Sequence, residues 1–292
     1  MGNSQFLVTT LLPLSLAIIM LGFGLSLTPD DFKRVMKYPR PVLIGLFCQM
    51  LILPALALGI CYVFDFSPEL SVGLMILAAS PGGVAANLFS HLAHGDVALN
   101  LTLTAINCVL AAFTLPLIVN LSLAYFKVSE SVIGLQFQKT VEVFLIVLIP
   151  VSIGMLIRKF KPVFSDKMDR PVRIFSMVVL AVIIIAAVLK EKERLATSFG
   201  TIGLAMLVFN VLSMAVGYSM SRLGRLKTSE ATAITMEVGV HNGTLALYIA
   251  MSVLMSFELA IPSAIYSIIM FFTAAAASFL LSRLNRRETP AS

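Results

Sequence analysis

Long apolar stretches separated by short charged segments run along the whole chain. Asp, Glu, Lys and Arg are absent from nine such stretches, except that the eighth contains Glu237. The stretches cover residues 1–29, 41–64, 70–95, 97–126, 143–157, 174–189, 195–221, 231–257 and 259–282. A helix needs about 20 apolar residues to cross a bilayer, and only helices satisfy their own backbone groups there. The pattern therefore predicts an all-α integral membrane protein with nine transmembrane helices.

The composition predicts one membrane domain that spans residues 1–292. The chain is 59% hydrophobic and 12% charged, whereas soluble domains contain about 25% charged residues. No stretch of mixed composition is long enough for a separate soluble domain. The three cysteines lie within apolar stretches and show no metal-binding or disulfide spacing. We therefore expect no cofactor, and the first apolar stretch is interpreted as a retained helix rather than a signal peptide.

Basic residues are distributed unevenly between the two sides of the predicted helices. If the N-terminus lies outside, sixteen of the 21 Lys and Arg residues fall in the inside loops. Cytoplasmic loops of membrane proteins carry such an excess. The asymmetry predicts an outside N-terminus and a cytoplasmic C-terminus in a bacterial inner membrane. It also explains the net charge of +6 without a nucleic-acid partner, and no obligate protein partner is expected.

Residues that interrupt helices occur in the middle of two predicted spans. The third contains SPGGVAAN at 80–87, and the eighth contains EVGVHNGT at 237–244. Proline removes a backbone donor, and paired broken helices mark the binding sites of many transporters. Because the breaks match in position, they predict inverted repeats at roughly 5–125 and 172–284, with a separate helix at about 139–158. Two unrelated kinked helices are the alternative.

Several polar side chains lie deep within the predicted spans. Glu237 is acidic, and a charge at membrane depth is costly and usually functional. Asn100, Thr104 and Asn107 share one helical face because of their i, i+4, i+7 spacing. One carboxylate with amide and hydroxyl oxygens favours Na⁺ or H⁺ over Mg²⁺ or Ca²⁺, which usually take more carboxylates. Hydrogen bonding between helices is the alternative role for these side chains and for Gln49.

His241 follows Glu237 by four residues and resembles half of a helical metal site. A zinc enzyme would need further ligands, and no HExxH motif occurs in the chain. We therefore expect no enzymatic activity, and we expect His241 to line a polar cavity or to titrate. The positive ends of broken helices favour an anionic group. Together these residues indicate a cation-coupled carrier for small organic anions, with a channel or an intramembrane enzyme as alternatives from other classes.

The motifs resemble those of the bile acid:sodium symporter family, in its nine-helix form. The matching segments are LGFGLSLTPDDF at 21–32, the segment around Gln49, SPGGVAANLFSHLAHGDVALNLTLT at 80–104 and EVGVHNGTLAL at 237–247. The resemblance covers nearly the whole chain. It implies that two broken helices cross between a core and a panel. Predicted helices 2, 3, 4, 7, 8 and 9 would form the core, and helices 1, 5 and 6 the panel.

Two sodium sites behind the crossing are also implied by the resemblance. The residues that match the first site are Asn87, Asn100, Thr104 and Glu237. The residues that match the second site are Gln49, Glu237, His241 and the backbone carbonyls of Val238 and Val240. Three positions depart from the family pattern: Ala86 and Asn100 replace serines, and His241 replaces a glutamine. Because a protonated imidazole would repel Na⁺, a proton-coupled or uncoupled carrier that uses Glu237 and His241 stays open.

The resemblance implies an organic anion as substrate without selecting one. Met270 and Phe271 stand where some relatives place His and Asn. A bile-acid-like anion, a keto acid and a pantoate-like anion are therefore all candidates. The predicted function is Na⁺-coupled symport of such an anion by alternating access, with Na⁺ as the only metal ion. The residues expected on the substrate side are Gly83, Asn87, Asn242, Gly243 and Thr244.

Overall fold

The computed structural model describes residues 10–128, 137–168 and 192–288, with isolated positions between 171 and 185. Every regular element in these ranges is helical, and one isolated β-bridge joins Gly82 to His241. The helices are α1 (Leu12–Ser26), α2 (Pro29–Lys37), α3 (Pro39–Val63), α4 (Pro68–Ala79), α5 (Val84–Leu92), α6 (Val97–Tyr125), α7 (Phe137–Phe160), α8 (Lys192–Leu223), α9 (Thr228–Gly239), α10 (Gly243–Val253) and α11 (Ile261–Glu288).

Five of the described helices, α3, α6, α7, α8 and α11, are long and apolar enough to cross a membrane. Helices α1 and α2 make a sixth span if their pair, bent by 62°, is counted as one. The third and eighth predicted spans are each divided into two shorter helices. The sixth predicted span, at 174–189, lies mostly outside the described residues. These helices confirm an all-α membrane protein, and α7 covers the range 139–158 between the predicted repeats.

The charged segment after α1, which the sequence assigns to an inside loop, forms the helix α2. Thr28 precedes this helix, and its backbone N–H and its hydroxyl both donate to the Asp31 carboxylate at 2.7 Å. Pro29 occupies the first helical position, where its missing N–H has no cost. Helix α2 packs against α6. N-terminal capping therefore stabilises a short charged helix between the first two predicted spans.

Glycine residues bring the backbones of α1 and α7 close together. A Cβ atom on Gly24 would collide with the backbone of Val151, and one on Gly154 would collide with the backbone of Leu21. Small residues at such crossings are typical of helix packing in membranes. Both helices belong to the set that the resemblance predicts to form the panel.

The divided helices lie in a second group of packed helices. Helix α9 packs against α5, α6, α8 and α11, and α4 packs against α3, α6 and α11. Every residue of 231–250 is buried within the protein. Buried polar groups in native structures almost always have partners. The buried polar side chains of this stretch therefore mark a candidate functional site. They are Thr232, Thr235, Glu237, His241, Asn242 and Thr244.

Candidate ion and substrate site at the helix crossing

The two divided helices meet at their unwound segments, between α4 and α5 and between α9 and α10. The Gly83 N–H donates to the carbonyl of Val240 at 2.8 Å. The Asn242 N–H donates to the carbonyl of Pro81 at 2.9 Å. These two bonds satisfy backbone groups that the helical interruptions release, as an interior at membrane depth requires. The two breaks predicted from the sequence therefore form one crossing.

Asn242, which the sequence places on the substrate side, caps the N-terminus of α10. Its Oδ1 accepts a hydrogen bond from the Leu245 N–H at 3.0 Å. Asparagine is among the preferred N-cap residues because its side-chain oxygen satisfies a free N–H of the first turn. The same residue thus ends the unwound segment and starts the second half of the divided helix.

Glu237 is fully buried directly behind the crossing. The Thr104 hydroxyl donates to its Oε2 at 2.6 Å, and Nδ2 of Asn107 donates to its Oε1 at 2.9 Å. The backbone of Gly82 also lies against the carboxylate, because a Cβ on Gly82 would collide with all three of its atoms. This carboxylate therefore connects α6, α9 and the unwound segment after α4.

Asn100 faces α9 from the same side of α6 as Thr104 and Asn107, as their spacing predicts. Its Nδ2 donates to the carbonyl of Ala233 at 2.8 Å. Its Oδ1 is buried and has no hydrogen-bond partner among the described residues. The Thr104 hydroxyl oxygen also lies 3.0 Å from the carbonyl oxygen of Asn100. A hydroxyl has one proton, so it donates to only one of these acceptors at a time. Asn100 therefore offers a free acceptor near Glu237.

Gln49 and His241 meet at one carbonyl oxygen of the first break. Gln49 lies in a π-helical turn, Cys48–Ile52, a feature that is frequent at functional sites. Its Nε2 donates to the carbonyl of Ser80 at 2.9 Å, and Nδ1 of His241 lies 3.1 Å from the same oxygen. Because a carbonyl only accepts, Nδ1 carries the hydrogen. Oε1 of Gln49 and Nε2 of His241 are buried without partners in the described part.

Two aromatic rings enclose the imidazole of His241. Phe209 stacks on it with a 6.1 Å centroid separation, and Tyr266 meets it edge-on at 5.4 Å. The Tyr266 hydroxyl and Nδ2 of Asn210 both donate to the carbonyl of Gly239 at 2.8 Å. Asn210 and Tyr266 are not among the site residues predicted from the sequence. The signal for Asn210 was an amide in the middle of the seventh apolar stretch.

The other residues predicted to bind ions or substrate lie around the crossing. The structure shows no hydrogen bond from the described ones to Glu237. Asn87 is half-buried on the first turn of α5, and its Oδ1 has no partner in the described ranges. Gly243 and Thr244 are buried at the start of α10, and a Cβ on Gly243 would collide with Ser267 of α11. Val238 lies within α9, so that its side chain is part of the core. The role of each as a ligand stays a prediction.

The two sides of the crossing differ in exposure. Helix α10 is buried over residues 243–250, whereas α5 has partly exposed residues at 84, 85, 87 and 88. Helix α10 packs against α1, and the Tyr248 hydroxyl donates to Oε1 of Glu142 on α7 at 3.0 Å. The crossing is therefore covered by α1 and α7 on the α10 side and is more open on the α5 side.

Comparisons with known proteins fit this arrangement. The model of the Sodium Bile acid symporter family matches residues 13–198. The chain belongs to this family. The matched range contains the first break and ends before α9, which carries Glu237. The resemblance inferred from the motifs is thereby confirmed.

Individual relatives of the family cover most of this chain. The uncharacterized sodium-dependent transporter YocS of Bacillus subtilis (strain 168) is 28% identical over 89% of this chain and 79% of its own length. A rice relative, the probable sodium/metabolite cotransporter BASS2, is 28% identical over 89% of this chain and 61% of its own. The human P3 protein is 31% identical over 77% of this chain and 47% of its own. The chain thus spans less than two thirds of the rice and human relatives.

The oxygen atoms that could act as metal ligands at the crossing suit a hard monovalent cation. Among the described residues, no three side chains of His, Cys, Asp or Glu gather into a metal site. The polar groups that do gather are one carboxylate, one hydroxyl, one imidazole and several amides, and oxygen is the donor that hard cations prefer. Within the described residues, the buried side-chain oxygens without hydrogen-bond partners include those of Gln49, Asn87, Asn100, Asn107 and Asn210. These residues therefore fit the ion that the family name includes.

Proposed function

We propose that this protein is a symporter that couples Na⁺ to the transport of a small organic anion by alternating access. The observation that carries the proposal is the fully buried carboxylate of Glu237, which Thr104 and Asn107 hold at the crossing of two broken helices. A charge enclosed in this way needs a compensating cation or proton. Membership of the family and the sodium-dependent relatives support Na⁺ as that cation.

We assign the ions to two sites that share Glu237. The first uses Asn87, Asn100 and Thr104, and the second uses Gln49, His241 and the carbonyls of Val238 and Val240. The unpartnered oxygens of the amides support this assignment, since a cation would satisfy them. An ion at either site would offset the charge of Glu237 and so stabilise the crossing.

We assign the anion to the opposite face of the crossing. Gly83, Asn87, Asn242, Gly243 and Thr244 would contact it there. Helices α5 and α10 both begin at the crossing, and the N-terminal ends of helices favour negative charge. This arrangement supports an organic anion as substrate. The bile-acid-like, keto acid and pantoate-like candidates differ in how much apolar surface of the substrate the site must bury.

The one-sided closure of the crossing supports alternating access. Covering by α1 and α7 on the α10 side supports a core that moves against a panel, between states that open to opposite sides. With nine helices, inverted repeats at roughly 5–125 and 172–284 would relate the outward-open and inward-open states by a pseudo-two-fold axis in the membrane plane. We also propose a bacterial inner-membrane location with the N-terminus outside and the C-terminus in the cytoplasm.

The proposal predicts saturable uptake of an organic anion into proteoliposomes when an inward Na⁺ gradient is imposed. Uptake of a labelled bile acid, keto acid and pantoate would be measured with Na⁺ outside and again with K⁺ at equal ionic strength. At least one anion should accumulate above its external concentration with Na⁺ only. Equal uptake in K⁺ would reject Na⁺ coupling. Flux without saturation would indicate a channel, and turnover without a gradient would indicate an enzyme.

A proton-coupled carrier is the second candidate, and His241 favours it. Its Nε2 has no partner in the described part of the chain, and an imidazole replaces the amide that the resemblance implies. The groups that face this ring are Phe209, Tyr266 and the Ser80 carbonyl, while Glu237 lies one turn earlier on α9. Titration of the ring would therefore place a positive charge against the proposed second sodium site.

His241→Gln is expected to make Na⁺-driven uptake less sensitive to pH. Histidine changes charge between about pH 5 and 8, so imidazolium would oppose Na⁺ at the acid end in the wild type. Glutamine keeps a polar side chain and cannot titrate. Uptake would be measured across this range for the wild type and the variant, with His91→Gln on the exposed side of α5 as control. Equal pH profiles for wild type and His241→Gln would exclude a role of His241 in coupling.

A further inference from the structure

Asn107 belongs to neither sodium site that the resemblance implies, although it binds the central carboxylate. It is 1% exposed, and its Nδ2 donates to Oε1 of Glu237 at 2.9 Å. Its Oδ1 is buried and has no hydrogen-bond partner within the described ranges. Leaving an acceptor buried and unpartnered is costly, whereas an apolar side chain at this position would avoid that cost. The free oxygen therefore indicates a ligand.

A small cavity lies beside Asn107. Its volume is about 10 Å³, and its lining includes Gln49, Asn107 and Pro81, so it holds one particle of the size of a water molecule. Gln49 comes from α3 and Pro81 from the crossing, so that three separate elements meet at this cavity. Oε1 of Gln49 is also buried and has no hydrogen-bond partner in the part of the chain that the structure describes. Two amide oxygens of the cavity lining thus lack partners.

Two occupants match unpartnered acceptors in a cavity of this size. One is a water molecule that donates both of its hydrogens, and the other is a dehydrated monovalent cation. The charge of Glu237 favours the cation, because Asn107 binds this carboxylate with one end of its amide while the other end is free. A carboxylate in a low-dielectric interior attracts a nearby cation strongly.

We propose that Asn107 is a further cation-binding residue, whose Nδ2 orients Glu237 while its Oδ1 joins Oε1 of Gln49 in binding Na⁺. This inference rests on the proposed sodium coupling and adds a ligand to it. The amide of Asn107 acts at both ends, so that loss of the side chain would remove a ligand and also release one oxygen of the carboxylate. A purely structural asparagine would affect stability without affecting the choice of ion.

The test is a titration of thermal stability with Na⁺ and with Li⁺, on the full chain purified in detergent, with K⁺ as the replacement ion at constant ionic strength. In Asn107→Leu, the half-saturating Na⁺ concentration is expected to rise about tenfold, the size of one lost interaction with a charged group. The ratio of the Li⁺ and Na⁺ values should change as well, because ligand number and geometry select between ions of different size.

Asn285→Leu is the matched control. Asn285 is a buried amide whose Nδ2 donates to the Ala93 carbonyl and to Thr232, so its loss should lower stability and leave both ion titrations unchanged. If Asn107→Leu does not fold, Asn107→Ser, which is smaller and lacks the amide, is judged by the same two readouts. A wild-type ion response in the Asn107 variant would overturn the inference and leave water as the cavity's occupant. An equal shift in the control would overturn it too.

The same titration distinguishes a failure of the proposed sodium coupling from a failure of the role proposed for Asn107. If the wild type is stabilised equally by Na⁺ and K⁺, sodium coupling fails and the role of Asn107 fails with it. If the wild type responds to Na⁺ and Asn107→Leu responds identically, only the role of Asn107 fails.

Discussion

Glu237→Gln is expected to abolish both the stabilisation by Na⁺ and Na⁺-driven uptake. Glutamine has almost the same size, but it has no charge to compensate a cation. Its amide nitrogen would also remove the acceptor of either Thr104 or Asn107, because an amide nitrogen does not accept a hydrogen bond. At a Na⁺ concentration 100 times the dissociation constant, a bound ion stabilises the native state by about 2.7 kcal/mol. Thermal unfolding in NaCl and in KCl measures this difference directly.

Glu230→Gln is a suitable control for this experiment. Glu230 lies on the same helix, where its Oε2 accepts the Lys227 N–H at the exposed start of α9. Glutamine also serves at this position of a capping box, so the substitution should have little effect on stability and leave the Na⁺ response intact. A full Na⁺ response in Glu237→Gln would show that the buried carboxylate does not couple the ion, and Thr104 and Asn100 would then have to bind it alone.

Much of the fold could be predicted because the bilayer restricts what each apolar stretch can form. Stretches of sufficient length become helices, and the residues around Pro81 and Gly239 end them within the membrane. The short helix α2 was not predicted, although its capping signal was present in the sequence. Thr28 and Asp31 have the spacing of a capping box. The charges of this segment indicated only its side of the membrane, whereas its local hydrogen bonds stabilise a helix.

The site could be predicted only as far as helical spacing reaches. The i, i+4, i+7 pattern put Asn100, Thr104 and Asn107 on one face, and the structure directs that face at α9. The pairing of Asn107 with Glu237 joins residues 130 positions apart, which no local pattern reveals. The same is true of Asn210 and the Gly239 carbonyl, since that acceptor becomes available only where the helix ends.

The position of Glu237 suggests why ion binding and conformation would be linked. Its carboxylate touches α6 and the first break, and it belongs to the helix that leads into the second. A cation that compensates this charge would therefore stabilise all three elements in one arrangement. A ligand shifts a conformational equilibrium only by its differential affinity for the two states, and a shared carboxylate supplies such a difference.

Gly82→Ala is expected to abolish the Na⁺ response while the protein stays folded. The added Cβ would collide with the carboxylate of Glu237. That carboxylate cannot move without losing Thr104 and Asn107. Space rather than backbone conformation requires glycine here, since no described glycine has a positive φ. Overpacking of this kind costs about 1–3 kcal/mol, so unfolding in KCl should begin at a lower temperature and NaCl should give no protection.

Gly239→Ala is the comparison that makes this prediction specific. A Cβ on Gly239, at the other break, would meet the side chain of Met214. Methionine is flexible enough to move away, so this variant should keep its Na⁺ stabilisation and a large part of its uptake. If Gly82→Ala responds to Na⁺ as Gly239→Ala does, the carboxylate has room that the structure does not show. The close approach of the first break to Glu237 would then not be needed for ion binding.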